Sequence, residues 1–452
     1  MTKNYNNVRM DVYLKNLEKN SDDIDYYNIA KQLYSENIIE QTVLCVSGPM
    51  LISYAIWIIK EAKRKEIKRL FFIARDGLII CKIVSYFSKQ LDLNIQCNYL
   101  YCSRYAMKLP VYYINQELGF DLIFSGGSRV SLNSILKRIN FDKQQQKSII
   151  SAINYTEEQC NTVLNNVGIK EIRTTLIKCK EFINELNILA KNSYENITKY
   201  FLQEGLVEEK IYIVDSGWRG NIQNSISVIL KSLNANIEVE GFYFGLEKFH
   251  VNQTYNCFYF SPIKHPFRIL HFNYNVFENF CSASHGMTVG YKQKNNSVEP
   301  ILKEIFIKEK FVEIQEKMIF KMIDKITIDS KIIEIDNEKL MKSYEKNMIL
   351  FINNPTKYEV SYWGNVGYCE DDSESYFVKL AEEIPKFESY HYLLIRRLYE
   401  RVFTKKRKRM ISESMWIKGS FVNYNFLLKK WIYFNIDIFE AIRIFNLLIK
   451  NI

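Results

Sequence analysis

The chain has 452 residues, 47% of them hydrophobic and 25% charged, a balance that excludes wholesale disorder and implies more than one ordinary core. With 16 glycines and 7 prolines it is too poor in both for collagen-like, elastic or proline-rich linker architectures. Lys and Arg (61) exceed Asp and Glu (51) by a net +10, which favours anionic ligands or surfaces without demanding nucleic acid.

Residues 1–68 read as a helical lead-in, polar at the outset and without the apolar core of a signal peptide. Within it, Thr42 to Ile59 is uncharged and is followed by Lys60, Lys63, Arg64 and Lys65, the pattern of a short membrane span with a positive flank. Ser47-Gly48-Pro49 interrupts the run, and proline at the first helical position starts a helix there. Too few apolar residues then remain before the charges to fill a bilayer. A buried core helix is the preferred reading and a span the alternative.

From Arg69 to Ala74 a short, continuous apolar run ends at Arg75-Asp76-Gly77, as expected of a strand covered on both faces. A helix pattern follows from Leu78 to about Gln90, then a strand from Ile95 to Cys102 closed by Ser103-Arg104. Strand, helix and strand make a parallel β-α-β unit. Residues 107–206 show only polar helix patterns, one of them long, from about Lys170 to Gln203, and read as a helical insertion. The sheet pattern returns at Ile211 to Val214, stopped at Asp215. A helix from Asn221 to about Leu233, a strand from Ile237 to Leu246 and a further strand at Tyr255 to Phe260 follow. The α/β core is thus discontinuous, 69–106 with 207–300, and residues 301–452 form a helical C-terminal region.

Nine cysteines (45, 81, 97, 102, 160, 179, 257, 281 and 369) include no CxxC pair and lie mostly in apolar surroundings, which reads as reduced thiols of a cytoplasmic protein. Five histidines lack HExxH or any tight pairing, so a structural zinc site is not expected. The run Lys405 to Arg409 is either a solvated helix end or a contact for anionic lipid, which makes the protein cytoplasmic or membrane-peripheral. Without aromatic residues arranged around that run, specific nucleic-acid binding is not indicated.

Three strands end in compact polar groups: Arg75-Asp76-Gly77, Ser103-Arg104 and Asp215-Ser216-Gly217. The carboxyl ends of parallel strands form the ligand crevice of an open α/β sheet, so Asp76, Ser103 and Asp215 are expected to converge there. Strand ends also carry Asp and Ser as helix caps and turn formers, and that reading stands beside the functional one. Gly217 and Gly220 leave backbone N–H groups for an anion at the start of the next helix, and Arg219 adds a charged donor. Their spacing matches neither GxGxxG nor the Walker pattern. Trp218 is a core residue or a stacking surface for a sugar or base. Glu278 and His285, on a helix-like stretch running into a small-residue turn at Gly286, are acid/base candidates.

These motifs together, from Phe71 to Gly77, Tyr99 to Arg104, Val214 to Gly220, and Glu278 with Ser284 to Gly286, resemble a bacterial family of haloacid-dehalogenase-like (HAD-like) hydrolases. Its members accompany glycosyltransferases in capsule and surface-polysaccharide gene clusters. The resemblance covers about residues 40–300, with a weaker echo at Trp416 to Ser420. It implies a HAD-like or Rossmann-like, mainly parallel sheet and phosphoryl transfer on a phosphorylated sugar or nucleotide-sugar. Mg²⁺ is the implied cofactor, held by Asp76 and Asp215; glycosyltransferases of a polysaccharide assembly are the implied partners. Asp76, Asp215, Glu278 and His285 become the catalytic set, and Arg75, Gly77, Ser103, Arg104, Gly217, Trp218, Arg219 and Gly220 the substrate and phosphate set. Asp76 matches the second Asp of the family's DxDG. Ala74 stands where the nucleophilic Asp belongs, and no lysine is assigned to the family's third motif. Alanine can neither attack phosphorus nor bind Mg²⁺. A glycosyltransferase-like enzyme and a non-catalytic sugar-phosphate scaffold are therefore the rival readings.

Overall fold

A computed structural model of the chain describes residues 2–20, 23–125, 130–304, 309–368, 378–403 and 414–450. Its centre is a five-stranded sheet in the order β2-β1-β3-β4-β5. The strands are β1 (Arg69–Ile73), β2 (Gln96–Leu100), β3 (Lys210–Trp218), β4 (Glu238–Leu246) and β5 (Thr254–Phe260), all paired in parallel. The fold is mixed α/β, as the short apolar runs require.

Alternation along β1 sends Leu70 and Phe72 into one apolar cluster and Phe71 and Ile73 into another, so both faces of the sheet are covered. Helices Gly77–Gln90 and Gly48–Arg64 supply the first cluster. Arg104–Ile114, the distal half of Lys180–Gln203, and Asn221–Leu233 supply the second. The helix that leaves β1 toward β2 and the helix that leaves β3 toward β4 therefore sit on opposite faces. With β1 and β3 adjacent, the connections diverge between them, the switch point at whose carboxyl ends open α/β sheets place their ligand crevice.

The apolar segment near the N-terminus is one helical run, Ile38–Arg64, whose most apolar window is wholly buried within the fold. It does not start at Pro49, as expected from the sequence. The run passes through a π-helical turn at Val43–Ser47, which ends one residue short of the proline. Pro49 has no N–H for the carbonyl of Cys45 four residues earlier, and the Asn347 side chain donates to that carbonyl instead, at 2.9 Å. Among the described residues this is the one helix long and apolar enough to cross a membrane.

The regions flanking the sheet are integral to its core. Helices Glu309–Ile323 and Asn337–Asn353 close over the buried run with Ile319, Met322, Tyr344 and Met348, so the C-terminal third completes the main core. Within 107–206 a satellite core built from residues 112–190 stands apart, while Met107, Val111, Ile197 and Phe201 belong to the sheet layer. The long helix expected from Lys170 breaks at Cys179, which adopts extended backbone between Asn166–Lys178 and Lys180–Gln203. A hairpin not anticipated from the sequence, β6 (Thr288–Lys294) with β7 (Ser297–Leu302), covers the end of Lys180–Gln203. The eight described cysteines are free thiols. Cys369 and the run Lys405 to Arg409 lie outside the described residues.

The N-terminal helix meets the C-terminal third at a buried charge pair. Arg9, on helix Thr2–Glu18, donates to both oxygens of Glu359 at 3.0 and 3.1 Å, and the Tyr13 hydroxyl donates to the same carboxylate. Glu359 is 1% exposed and Arg9 12%. Arg9→Met keeps the packing of the stem and strands a carboxylate in the interior. It is expected to lower the unfolding free energy in a urea titration by about 3 kcal/mol. A loss below about 0.5 kcal/mol would mean that the pair behaves as a solvent-screened surface bridge.

Candidate functional site

β1 pairs one residue past its end, the Ala74 N–H donating to the Leu100 carbonyl at 3.0 Å, before the chain turns through Arg75 and Asp76. The Ala74–Arg75 peptide bond is cis. Gly77, buried, is the first residue of the next helix and packs against the Phe72 backbone. Asp76 stands at that helix's N-cap position, yet its side chain makes no capping bond. Its Oδ2 accepts instead from the Ser216 hydroxyl of β3, at 2.6 Å. Ser103 behaves in the opposite way: its hydroxyl accepts from the Ala106 N–H at 3.1 Å, capping Arg104–Ile114, and donates to the Thr288 carbonyl at 2.6 Å. Of the two cap candidates, Ser103 is a cap and Asp76 is not.

β3 does not stop at Val214, as the Asp-Ser-Gly sequence suggested, but runs on through Trp218. The extension rests on Gly217, whose φ of 135° suits glycine and whose missing Cβ would lie 2.0 Å from the Gly245 carbonyl oxygen. Asp215 and Ser216, both 7% exposed, thereby stay in the sheet at its carboxyl edge. Asp215 Oδ1 accepts from the Ser216 N–H at 2.9 Å, and the Tyr54 hydroxyl of the buried helix donates to the Asp215 carbonyl at 3.0 Å. Gly220, at φ 63°, opens helix Asn221–Leu233. Arg219 is exposed and lies 3.6 Å from the buried Glu247, which also pairs with Arg443. The anticipated glycine-rich turn over 215–220 is thus mostly strand, because the Gly217–Gly245 approach keeps the ladder closed.

Trp218 packs its ring among Phe260, Phe272, Tyr274 and Phe277, at centroid distances of 5.0–6.4 Å. Its Nε1–H donates to Glu278 Oε1 at 2.9 Å, so the indole holds the Glu278 carboxylate in place from helix Tyr274–Phe280. That carboxylate bears on Asp76. Burial first, then the charge of Glu278, pushes the Asp76 carboxyl up to about 7; the Ser216 hydroxyl and the cations Arg75 and Arg104 pull the other way. Asp215 is pushed up to about 8 by burial and by Asp76, against the Ser216 N–H and Arg104. Three carboxyl groups and two arginines therefore share one electrostatic environment. Near neutral pH the cluster keeps at least one proton, because like charges so placed resist full ionisation.

His285 lies at the rim beside β2. Its Nδ1–H donates to the Gly286 carbonyl at 2.9 Å, which fixes Nε2 as the acceptor for the Tyr99 hydroxyl at 2.6 Å. Burial, with the Arg75 charge acting in the same direction, lowers its pKa, so the ring is neutral at physiological pH. Arg104 is exposed at the first turn of its helix, and Arg75 is partly buried. Ser216 and Tyr99 lie within the motifs read from the sequence but have no role assigned there: Ser216 reads as a turn residue between Asp215 and Gly217, and Tyr99 as one more strand aromatic.

Among the described residues no group of three or more His, Cys, Asp or Glu is arranged to hold a metal ion. Asp76 and Asp215 each spend one oxygen on Ser216. Mg²⁺ takes one or two ionised carboxylates and keeps several waters, so this pair supplies its minimum donor set only once both have lost their protons. No family model matches the chain, and no curated protein matches it.

The raised pKa values carry a sign. In the fold these carboxyls keep protons that the unfolded chain gives up above about pH 4, so stability falls as pH rises from about 4 toward 8. Asp215→Asn removes this cost and keeps an oxygen to accept the Ser216 N–H. Its melting-temperature advantage over the parent is expected to grow from about pH 5 to about pH 8. An advantage that stays flat over that range would contradict the shift.

Proposed function

We propose that the protein is a HAD-like enzyme of surface-polysaccharide assembly that transfers or hydrolyses the phosphoryl group of a phosphorylated sugar or nucleotide-sugar. The observation that carries this reading is the bond from Ser216 to Asp76, which links the β1 and β3 ends and gathers Asp76, Asp215 and Glu278 in one crevice. Carboxyl groups tuned to neutral pH in a sheet-end crevice suit acid/base work. Arg75 and Arg104 supply the positive charge that a phosphoryl group needs.

The two aspartates, both held well above the ordinary carboxyl range, divide the roles by position. Asp76, at the position of the family's acid/base aspartate, takes a proton from water as the water oxygen attacks phosphorus. Asp215 gives its proton to the departing sugar oxygen as the phosphorus–oxygen bond breaks. Glu278, held by Trp218, tunes Asp76. Ala74 removes the usual phosphoaspartyl route, which is why the base role falls to Asp76. Were Asp76 and Asp215 instead to hold Mg²⁺ with water, both carboxyls would be ionised and the ion would neutralise phosphoryl charge in place of the proton on Asp215. Ala74 also favours one rival, a sugar-phosphate scaffold that binds without turnover.

A screen of sugar phosphates and nucleotide-sugars with Mg²⁺ tests these readings. Asp76→Asn is expected to cut the release of inorganic phosphate by about 10²-fold or more while the fold persists. Equal rates in parent and variant would remove Asp76 from the chemistry. Release of nucleoside diphosphate would point to the glycosyltransferase-like reading, and binding without turnover in both forms to the scaffold.

A further inference from the structure

The C-terminal helix Phe426–Lys450 is fastened to the body along one face. Ile432, Ile436 and Ile444 are buried, Asn435 accepts from the Leu394 N–H at 3.0 Å, and Arg443 pairs with Glu247 at 3.3 Å. Its opposite face is apolar as well. Leu427 (78% exposed), Trp431 (55%), Phe434 (55%), Phe445 (61%) and Ile449 (55%) follow one another at helical spacing, a stripe about 33 Å long at 1.5 Å per residue. The neighbouring helix Leu394–Phe403 adds Ile395, 84% exposed.

The same part of the chain is cationic. Its described residues, 386–403 and 414–450, carry 9 Lys and Arg against 4 Asp and Glu, +5 of the chain's net +10. Lys430 is exposed beside the apolar stripe, 4.3 Å over the Phe426 ring, and Arg396 is exposed on the neighbouring helix.

We infer that this face is a membrane-docking surface whose occupant is a bilayer containing anionic phospholipid. An amphipathic helix with exposed Trp, Phe and Leu, flanked by Lys and Arg, lies in the interface and gains from both apolar burial and attraction to acidic headgroups. Charge complementarity selects lipid over a second copy of the chain, because a self-paired face would bring two net-cationic segments together. Asp437, Glu440 and Arg443 in mid-helix, with one face already packed on the protein, exclude a span and keep the helix parallel to the surface. This docking is independent of the chemistry proposed for the sheet crevice.

The full-length protein should co-sediment with phosphatidylcholine vesicles that contain phosphatidylglycerol and not with phosphatidylcholine alone, and rising salt should release it. Of the five tryptophans, Trp57, Trp363 and Trp416 are buried and Trp218 is partly buried, which leaves Trp431 as the exposed reporter. Its emission should shift to the blue and be quenched by brominated acyl chains. Trp431→Ser with Phe434→Ser, and separately Lys429→Glu with Lys430→Glu, should each weaken vesicle binding about tenfold or more with the parent's melting temperature retained. Absence of binding, equal binding to neutral vesicles, or self-association through this face without vesicle binding would overturn the inference.

Discussion

Adjacency of β1 and β3 is the constraint on which the site depends. The two strands are far apart in sequence, and only their pairing, with connections departing on opposite faces, brings Asp76 to the hydroxyl of Ser216. The cost is local: two carboxyls lose water and face Glu278 as well. What holds them is the apolar packing around the strands. The buried Tyr54 hydroxyl fixes the carbonyls of Asp215 and Phe242 at 3.0 and 3.2 Å, so β3 and β4 are pinned where the carboxyls emerge.

The helices at both ends of the chain serve that same packing. An apolar helix as long as Ile38–Arg64 needs cover on every side. The sheet gives one side, and Glu309–Ile323 and Asn337–Asn353 give another. Asn347 takes part directly through the carbonyl that Pro49 leaves without a donor. The N-terminal helix, bound to Glu359 through Arg9 and Tyr13, closes the assembly. The site therefore rests on a core to which residues from the first helix and from the C-terminal third both contribute.

Much of this was legible in the sequence. Runs such as Leu70 to Ile73 have one physical explanation in a soluble setting, burial on both faces, and their polar ends mark one sheet edge. Several features carried no local signal. Asp-Ser-Gly reads as a turn, and only the Gly245 backbone across the ladder shows why Gly217 belongs to a strand. The break at Cys179 is silent because Ile172, Leu176, Phe182 and Leu186 keep one apolar phase across it. Lys292 and Lys294 disguise β6, which covers a helix end and lends Tyr291 to the apolar cluster on one face of the sheet. Trp218 was legible as important, but its partner Glu278 is 60 residues away and the bond between them is tertiary.

Carboxyl-carbon chemical shifts of Asp76 and Asp215, followed against pH in the parent and in Glu278→Gln, address the shared crevice most directly. Both aspartates should titrate well above the ordinary carboxyl range, and the Asp76 midpoint should drop once the Glu278 charge is gone. Independent titration of both near pH 4, unmoved by the change at Glu278, would contradict a common site at the β1 and β3 ends.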